Sequence, residues 1–372
     1  MLNIGFGVTV LNKSHLDGIG VYTQELYNAL KDQQDLKLYQ MGFGKKDGIM
    51  LLAPNYLSHA LPYIIFNKRR YFCNNTQATE PIKLIHATDH YIPAFKNIPV
   101  VATIMDLIPF LYPHWVSSGL RGFKNYAFKK LIYSANHIIT ISKWSKKDLI
   151  NVMGIDENKI SVIPLGVNNA YFDRIEPKFC HTILQKYSLT PGFFLFIGTL
   201  QPRKNLHQLM DAHALLPVYL QQKHPLVIVG KMGWGVDNLI EKIKKMENIG
   251  TGKWLQHLPQ QEVQALLQSA LALVFVSLYE GFGLPVLEAF ASQCPVIASN
   301  ATSIPEVAGE AALLVNPADL YSIVHAMKNL INEPKVREDL VVKGLKQAKL
   351  FTWKQCACKT IDIYKKLSIE TL

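Results

Sequence analysis

Short runs of β-branched, aromatic and aliphatic residues alternate with longer amphipathic segments along the whole 372-residue chain. In the first half the runs Leu2–Leu11, Lys83–Ala87, Val100–Ile104 and His137–Ile141 read as strands. In the second half Phe193–Gly198, Leu226–Gly230, Leu271–Val276 and Pro295–Ala298 do the same. Strand-like runs separated by helix-like segments predict parallel sheets with helices on both faces, an α/β protein. Turn residues in Ile163-Pro-Leu-Gly-Val-Asn-Asn169 and from Asp173 to Pro177 mark a junction. The expected organisation is two doubly wound domains facing across a cleft, residues 1–167 and 168–353. A C-terminal helix over about 354–372 is expected to pack back on the first of them.

In open α/β sheets a ligand lies beyond the C-terminal ends of the strands, and three strand-ending loops carry unusual residues. Asp17-Gly-Ile-Gly-Val-Tyr22 places Gly18 and Gly20 at the start of a helix running to about Lys31. Thr199-Leu-Gln-Pro-Arg-Lys-Asn205 sets Arg203 beside Lys204, with Asn205 as a helix N-cap. The third loop, Tyr279-Glu-Gly-Phe-Gly-Leu-Pro-Val-Leu-Glu-Ala289, carries Glu280 and Glu288 with seven residues between them. Here Pro285 suits a first helical position, and Gly281 and Gly283 let the backbone approach a ligand. The free amides of the new helix attract negative charge.

Each loop also has a purely structural reading. Gly18 and Gly20 then shape a tight turn, Arg203 and Lys204 form a solvated pair, and Glu288 is a favourable first-turn carboxylate with Glu280 on the surface. Taken together they suit one ligand, a nucleoside-diphosphate sugar. The cations and helix amides would face its pyrophosphate, and Glu288 would accept hydrogen bonds from the ribose diol. None of the glycines completes a GxGxxG, which argues against a nicotinamide dinucleotide fingerprint.

Apolar residues make up 49% of the chain and charged residues 18%, the balance of a folded protein long enough for two cores. The net charge of +11, with pI near 9.2, implies an anionic partner: nucleic acid, a membrane or a phosphorylated small molecule. No apolar stretch approaches the roughly 18 residues that span a bilayer. Met1-Leu-Asn-Ile-Gly-Phe-Gly-Val8 reads as a first strand rather than a leader, so a cytoplasmic location is expected. Five cysteines without CxxC spacing support neither a disulfide framework nor a zinc site, and are expected to be reduced thiols. From Leu120 to Tyr133 lysines and aromatics recur at helical spacing, Lys143, Lys146 and Lys147 follow, and Lys68-Arg-Arg70 adds a second cluster. That composition fits an anionic membrane surface, or an amphipathic core helix with a solvated basic face. Without a nucleic-acid module alongside, nucleic acid is not expected as a partner.

Over nearly its whole length the chain resembles the retaining glycosyltransferases of family 4, which have the GT-B architecture of two Rossmann-like domains. Gly18-Ile-Gly-Val-Tyr-Thr23 resembles the family's first glycine loop, and Thr140-Ile-Ser-Lys-Trp-Ser145 its Val-Ser-x-x-Ser segment. Val162-Ile-Pro-Leu-Gly-Val167 is similar to its domain-crossing stretch, and Phe196-Ile-Gly-Thr-Leu-Gln-Pro-Arg-Lys-Asn205 to its basic donor loop. Glu280 and Glu288 match E-x7-E, and Ser303-Ile-Pro-Glu-Val-Ala308 a following segment.

The resemblance implies that Arg203 and Lys204 hold the diphosphate and that Glu288 contacts ribose. Glu280, Gly281, Phe282, Gly283 and Leu284 would face the transferred sugar, with Gly18 and Gly20 also on the donor. It implies retention of configuration without a metal or other cofactor. In Val101-Ala-Thr-Ile-Met-Asp-Leu-Ile-Pro109, Met105 stands where the family has a histidine, while Asp106 remains a catalytic candidate. Methionine neither donates a hydrogen bond nor takes a proton at neutral pH, so that histidine's role does not carry over.

His86 and His90, in Ile85-His-Ala-Thr-Asp-His90, and Ser142 are the candidate sugar or acceptor contacts. The Met-Asp-Leu-Ile-Pro segment resembles O-antigen mannosyltransferases, which favours GDP-mannose as donor and a glycan or lipid-linked acceptor, at the inner face of the membrane. The alternatives are a UDP-glucose or UDP-N-acetylglucosamine transferase, a nucleotide-sugar epimerase, and a non-catalytic nucleotide-sugar-binding protein.

Overall fold

Thirteen strands, all parallel to their neighbours, form two sheets among the residues described by the computed structural model: 1–12, 16–44, 49–73, 80–116, 119–235, 237–256 and 258–369. The first sheet holds β1 (Leu2–Gly7), β2 (Leu36–Phe43), β3 (Met50–Ala53), β4 (Leu84–Ala87), β5 (Val100–Ile104), β6 (His137–Thr140) and β7 (Ile160–Val162), in the order β3-β2-β1-β4-β5-β6-β7. The second holds β8 (Phe194–Ile197), β9 (Leu226–Val229), β10 (Gly252–Leu255), β11 (Ala272–Phe275), β12 (Val296–Ser299) and β13 (Leu313–Val315), in the order β10-β9-β8-β11-β12-β13.

Strands that are apolar along their length are legible in the sequence. β4, β5, β6, β9, β11 and β12 are buried at every position, as parallel strands covered on both faces must be. β2, β3, β7, β10 and β13 are not among the strands read from the sequence. Four of these are edge strands, and all five carry half-buried or exposed positions. The first strand was expected to reach Leu11 but ends at Gly7. Thr9–Asn12 is a 3-10 turn, closed by Leu11 N–H donating to the Val8 carbonyl at 3.0 Å.

Two compact units follow the two sheets. The first comprises Met1–His114, Ser118–Gly166 and Trp353–Leu372, the second Trp115–Ser117 and Val167–Thr352. Within the second, Val167 pairs with Thr352 where the chain enters and leaves. The C-terminal helix Trp353–Ile369 belongs to the first unit and packs on the helix Gly18–Lys31 and on β4; residues 370–372 of the expected helix lie outside the described residues. The second core is built on Phe194, Phe196, Leu226, Ile228, Val274 and Val276. Each such side chain contributes about 1.5–3 kcal/mol on burial. The loops after β8 and β11, neighbouring strands, therefore start from a rigid base.

Candidate active site

The second unit's loops are drawn together by backbone as well as charge. After β8, residues Pro202–Lys204 make one 3-10 turn and Asn205 takes a left-handed conformation (φ +59°). Asn205 does not cap the following helix with its side chain, as its spacing suggested. Its amide donates instead to the carbonyls of Val276 (3.1 Å) and Pro317 (2.7 Å), pinning the loop after β8 to the one after β11. Leu278 N–H donates to the Arg203 carbonyl at 2.8 Å and completes the link.

That frame delivers two cations to one carboxylate. Lys204 Nζ lies 2.6 Å from Glu280 Oε1, and an Arg203 terminal nitrogen lies 2.8 Å from Oε2. The same guanidinium donates to the Tyr279 carbonyl and, through Nε, to Gln201. Lys204 also sits over the Phe275 ring, 4.7 Å from its centroid. Lys204 and Glu280 are each only 7% exposed, so the pair is desolvated and its geometry matters. Burial pushes the Glu280 carboxyl up, but Arg203 and then Lys204 outweigh it and hold the group down at about 2. Glu280 is therefore a buried anion, not a surface residue.

The backbone around Glu280 is fixed from below. Its N–H donates to Thr302 Oγ1 (3.1 Å), and the buried Ser303 hydroxyl lies 2.8 Å from the Glu280 carbonyl and 3.0 Å from that of Phe282. Gly281 is buried and Phe282 packs against Phe351. Gly283 has φ +116°, and a Cβ there would come within 2.6 Å of Ile304 Cδ1, so only glycine fits. The helix Leu284–Ala291 begins directly after it, with Pro285 in its first turn, and aims its free amides back along the loop. Glu288, one turn in, is half-buried against Tyr171, whose hydroxyl bonds its carboxyl. Burial raises the Glu288 carboxyl to about 7, with the Tyr171 bond opposing the rise. Two glutamates of one motif thus have opposite electrostatics: one held ionised, the other poised near neutrality.

In the first unit, Asp17 caps the helix that starts at Gly18, accepting from Gly20 N–H at 3.1 Å. A Cβ at Gly18 would meet nothing within 4 Å, so that glycine leaves open space above the helix start. Asp106, half-buried after β5, accepts from Ile108 N–H at 3.1 Å. Ser142 caps the helix Lys143–Met153 by accepting from Ser145 N–H, and Ser145 Oγ donates to the Met105 carbonyl at 2.9 Å. Ser142 thus acts in this arrangement as a buried cap rather than as a group offered to a sugar.

His86 requires a correction. It is fully buried, with Nδ1 2.6 Å from the Tyr364 hydroxyl and Nε2 2.8 Å from Thr103 Oγ1, and Thr103 in turn meets the Tyr22 hydroxyl at 2.8 Å. Burial lowers its pKa to about 3, so the ring is neutral and cannot reach a ligand. Its place is a polar chain joining β4, β5, the first helix and the C-terminal helix. His90 is exposed beside Tyr91, with ring centroids 4.3 Å apart, in the loop after β4. Among the described residues no group of three or more His, Cys, Asp or Glu stands together as a metal site.

Sequence reasoning did not single out Tyr171, Thr302, Asn205's stapling role or the His86–Tyr364 bond. Tyr171 lies 117 positions from Glu288, and no local periodicity connects such pairs. Only the Ser303-Ile-Pro-Glu segment gave a signal.

Residues 16–171 match the sequence profile described as Glycosyltransferase Family 4, and residues 184–347 the one described as Glycosyl transferases group 1. The O-antigen chain mannosyltransferase B of Escherichia coli is 33% identical over 285 residues, covering 76% of this chain and 74% of that protein. Sucrose-phosphate synthase from Thermosynechococcus elongatus matches with a TM-score of 0.75 and 19% identity over 99% of each chain. Anabaena HepE in complex with UDP matches with a TM-score of 0.74 and 15% identity over 98% of this chain and 100% of that one. At such identities the likeness is one of fold, the GT-B architecture.

Proposed function

We propose, because the chain belongs to glycosyltransferase family 4, that it moves a mannosyl group from GDP-mannose, with retention and without a metal, to a glycan or lipid-linked acceptor of a cell-surface polysaccharide. The Arg203–Lys204–Glu280 cluster carries this reading, with the Escherichia coli relative's name supporting mannose. Two buried-edge cations beside a helix start suit a diphosphate. They can take over the charge that gathers on the leaving group as the bond from C1 to phosphate oxygen breaks. The acceptor oxygen then bonds to C1 on the same face and gives its proton to the departing phosphate oxygen, releasing GDP. Glu288 holds the ribose hydroxyls, and Gly281 to Leu284 lie against the sugar. In the first unit Asp106, Gly18 and Gly20 are the candidate residues, and His90 offers an acceptor contact. The reaction takes place at the cytoplasmic face of the membrane.

A thermal-shift series with GDP-mannose, UDP-glucose and UDP-N-acetylglucosamine tests the donor. A ligand at one hundred times its Kd adds about 2.7 kcal/mol, or about 5–10 °C for a unit of this size. Transfer from the best binder is then followed in excess EDTA, with the anomer assigned by NMR. Stabilisation by UDP-sugars alone would replace mannose, and an inverted product or EDTA-sensitive turnover would remove the mechanism. An isomerised donor without acceptor would make the protein an epimerase, and binding without transfer would leave it non-catalytic.

A further inference from the structure

Charge and apolarity are distributed against the usual rule on one part of the first unit. From residue 107 to 147 the chain has seven Lys or Arg and no Asp or Glu, and from 48 to 79 it has three and none. The helices Tyr56–Phe66 and Arg121–Ser134, one from each stretch, pack against each other. Leu131 and Ile132 of the second helix face the core, yet Tyr126 and Phe123 stand on its solvent side among Lys124 and Lys129. The first helix ends in Ile65 and Phe66, 60% and 76% exposed, immediately before Lys68 and Arg69, and Leu120 is 77% exposed. Single exposed apolar residues are ordinary, but Ile65, Phe66, Leu120 and Phe123 beside the exposed Lys68, Lys124 and Lys129 are not.

We propose that this face docks on an anionic phospholipid bilayer, with Ile65, Phe66, Leu120 and Phe123 entering the headgroup boundary and the cations meeting lipid phosphate. Charge complementarity selects the occupant. A second copy of the chain pairing through the same face would set Lys68, Arg69, Lys124 and Lys129 against their own counterparts, which opposes an isologous dimer. Single-stranded nucleic acid would use the aromatics for stacking, but it leaves the aliphatic Ile65 and Leu120 without a partner. Acyl chains satisfy both. The fold holds the basic segment firmly: Arg70 N–H donates to the Ala94 carbonyl, its guanidinium to the Ser58 carbonyl at 2.6 Å, and Lys96 stacks over Tyr71 at 5.3 Å. The patch is thus presented by packed structure rather than by a loose tail.

This proposal deepens the lipid-linked reading of the acceptor, and its test uses neither substrate, so the two stand or fall separately. The full chain is sedimented with vesicles of phosphatidylcholine alone or mixed with phosphatidylglycerol, over a salt series. Binding to the anionic vesicles only is expected. Replacing Lys68, Lys124 and Lys129 together by Gln should weaken it about a hundredfold, at about fivefold per cation near the surface. Ile65→Ser with Phe66→Ser should weaken it about tenfold or more, even at salt that screens the charges. Unchanged melting curves show that both variants fold. Equal binding to neutral vesicles, or full anionic binding by both variants, would overturn the proposal. So would displacement by polyuridylate at matched phosphate, or a dimer that Ile65→Ser with Phe66→Ser dissociates.

Discussion

Glu280→Gln tests the electrostatic core of the site. Holding the carboxyl at about 2 rather than 4.5 favours the ionised form by about 3 kcal/mol, after its burial has been overcome. Glutamine keeps the shape and one acceptor but removes the charge that Glu280 sets against Lys204, 7% exposed, and Arg203. Losing one partner of such a buried pair costs about 3–5 kcal/mol. The second unit should therefore melt about 6–20 °C lower at pH 7.

The sign with pH follows from the depressed pKa. Glu280's contribution is complete above pH 4.5 and is lost as pH falls towards 2, so the gap between wild type and variant should close over that range. GDP provides the second arm of the assay. In the wild type its diphosphate must compete with Glu280 for the two cations, whereas in the variant it supplies the missing charge. Differential scanning fluorimetry with and without GDP should show a larger ligand-induced rise for Glu280→Gln, by about 3 °C or more, corresponding to about tenfold tighter binding. An unchanged melting point at pH 7, or a GDP response no larger than that of the wild type, would refute the reasoning.

Lys204→Met should lower turnover about 10²–10³-fold in a transfer assay while the Arg203–Glu280 bond keeps the loop folded. Because burial raises the Glu288 carboxyl to about 7, donor affinity measured by calorimetry should climb from pH 6 to pH 8 as the carboxylate forms, and Glu288→Gln should flatten that climb. The same raised pKa makes Glu288 a cost to the fold as pH rises through 7, so Glu288→Gln should gain stability relative to wild type in alkaline melts. Tyr364→Phe strands the buried Nδ1 of His86 and should cost about 1–3 kcal/mol in urea unfolding. Gly283→Ala, at φ +116° and 2.6 Å from Ile304 Cδ1, should cost at least about 1–3 kcal/mol by the same measurement.

The order of apolar runs and turns along the chain was enough to read an α/β protein with parallel sheets, because buried parallel strands must be apolar on both faces. It was also enough to read a helix opening at Gly18 and a glycine-bearing loop that restarts as a helix before Glu288, since backbone conformation there depends on the local residues. Edge strands were harder to read: β10 interrupts its apolar run with Gly252 and Lys253, and β13, Leu313–Val315, is only three residues long.

What side chains do to one another was decided only by the tertiary structure. Glu280 reads equally as a surface carboxylate and as a sugar contact until the loop after β8, 76 positions earlier, places Lys204 against it and removes the water. His86 reads as a ligand contact until the C-terminal helix, 278 positions away, closes over it with Tyr364. Burial and partner choice set the charge of both groups, and neither is a property of neighbouring residues. The sequence alone determined which chemistry was present, while the packing of distant segments decided which groups are ionised, which are neutral, and which of them a ligand can reach.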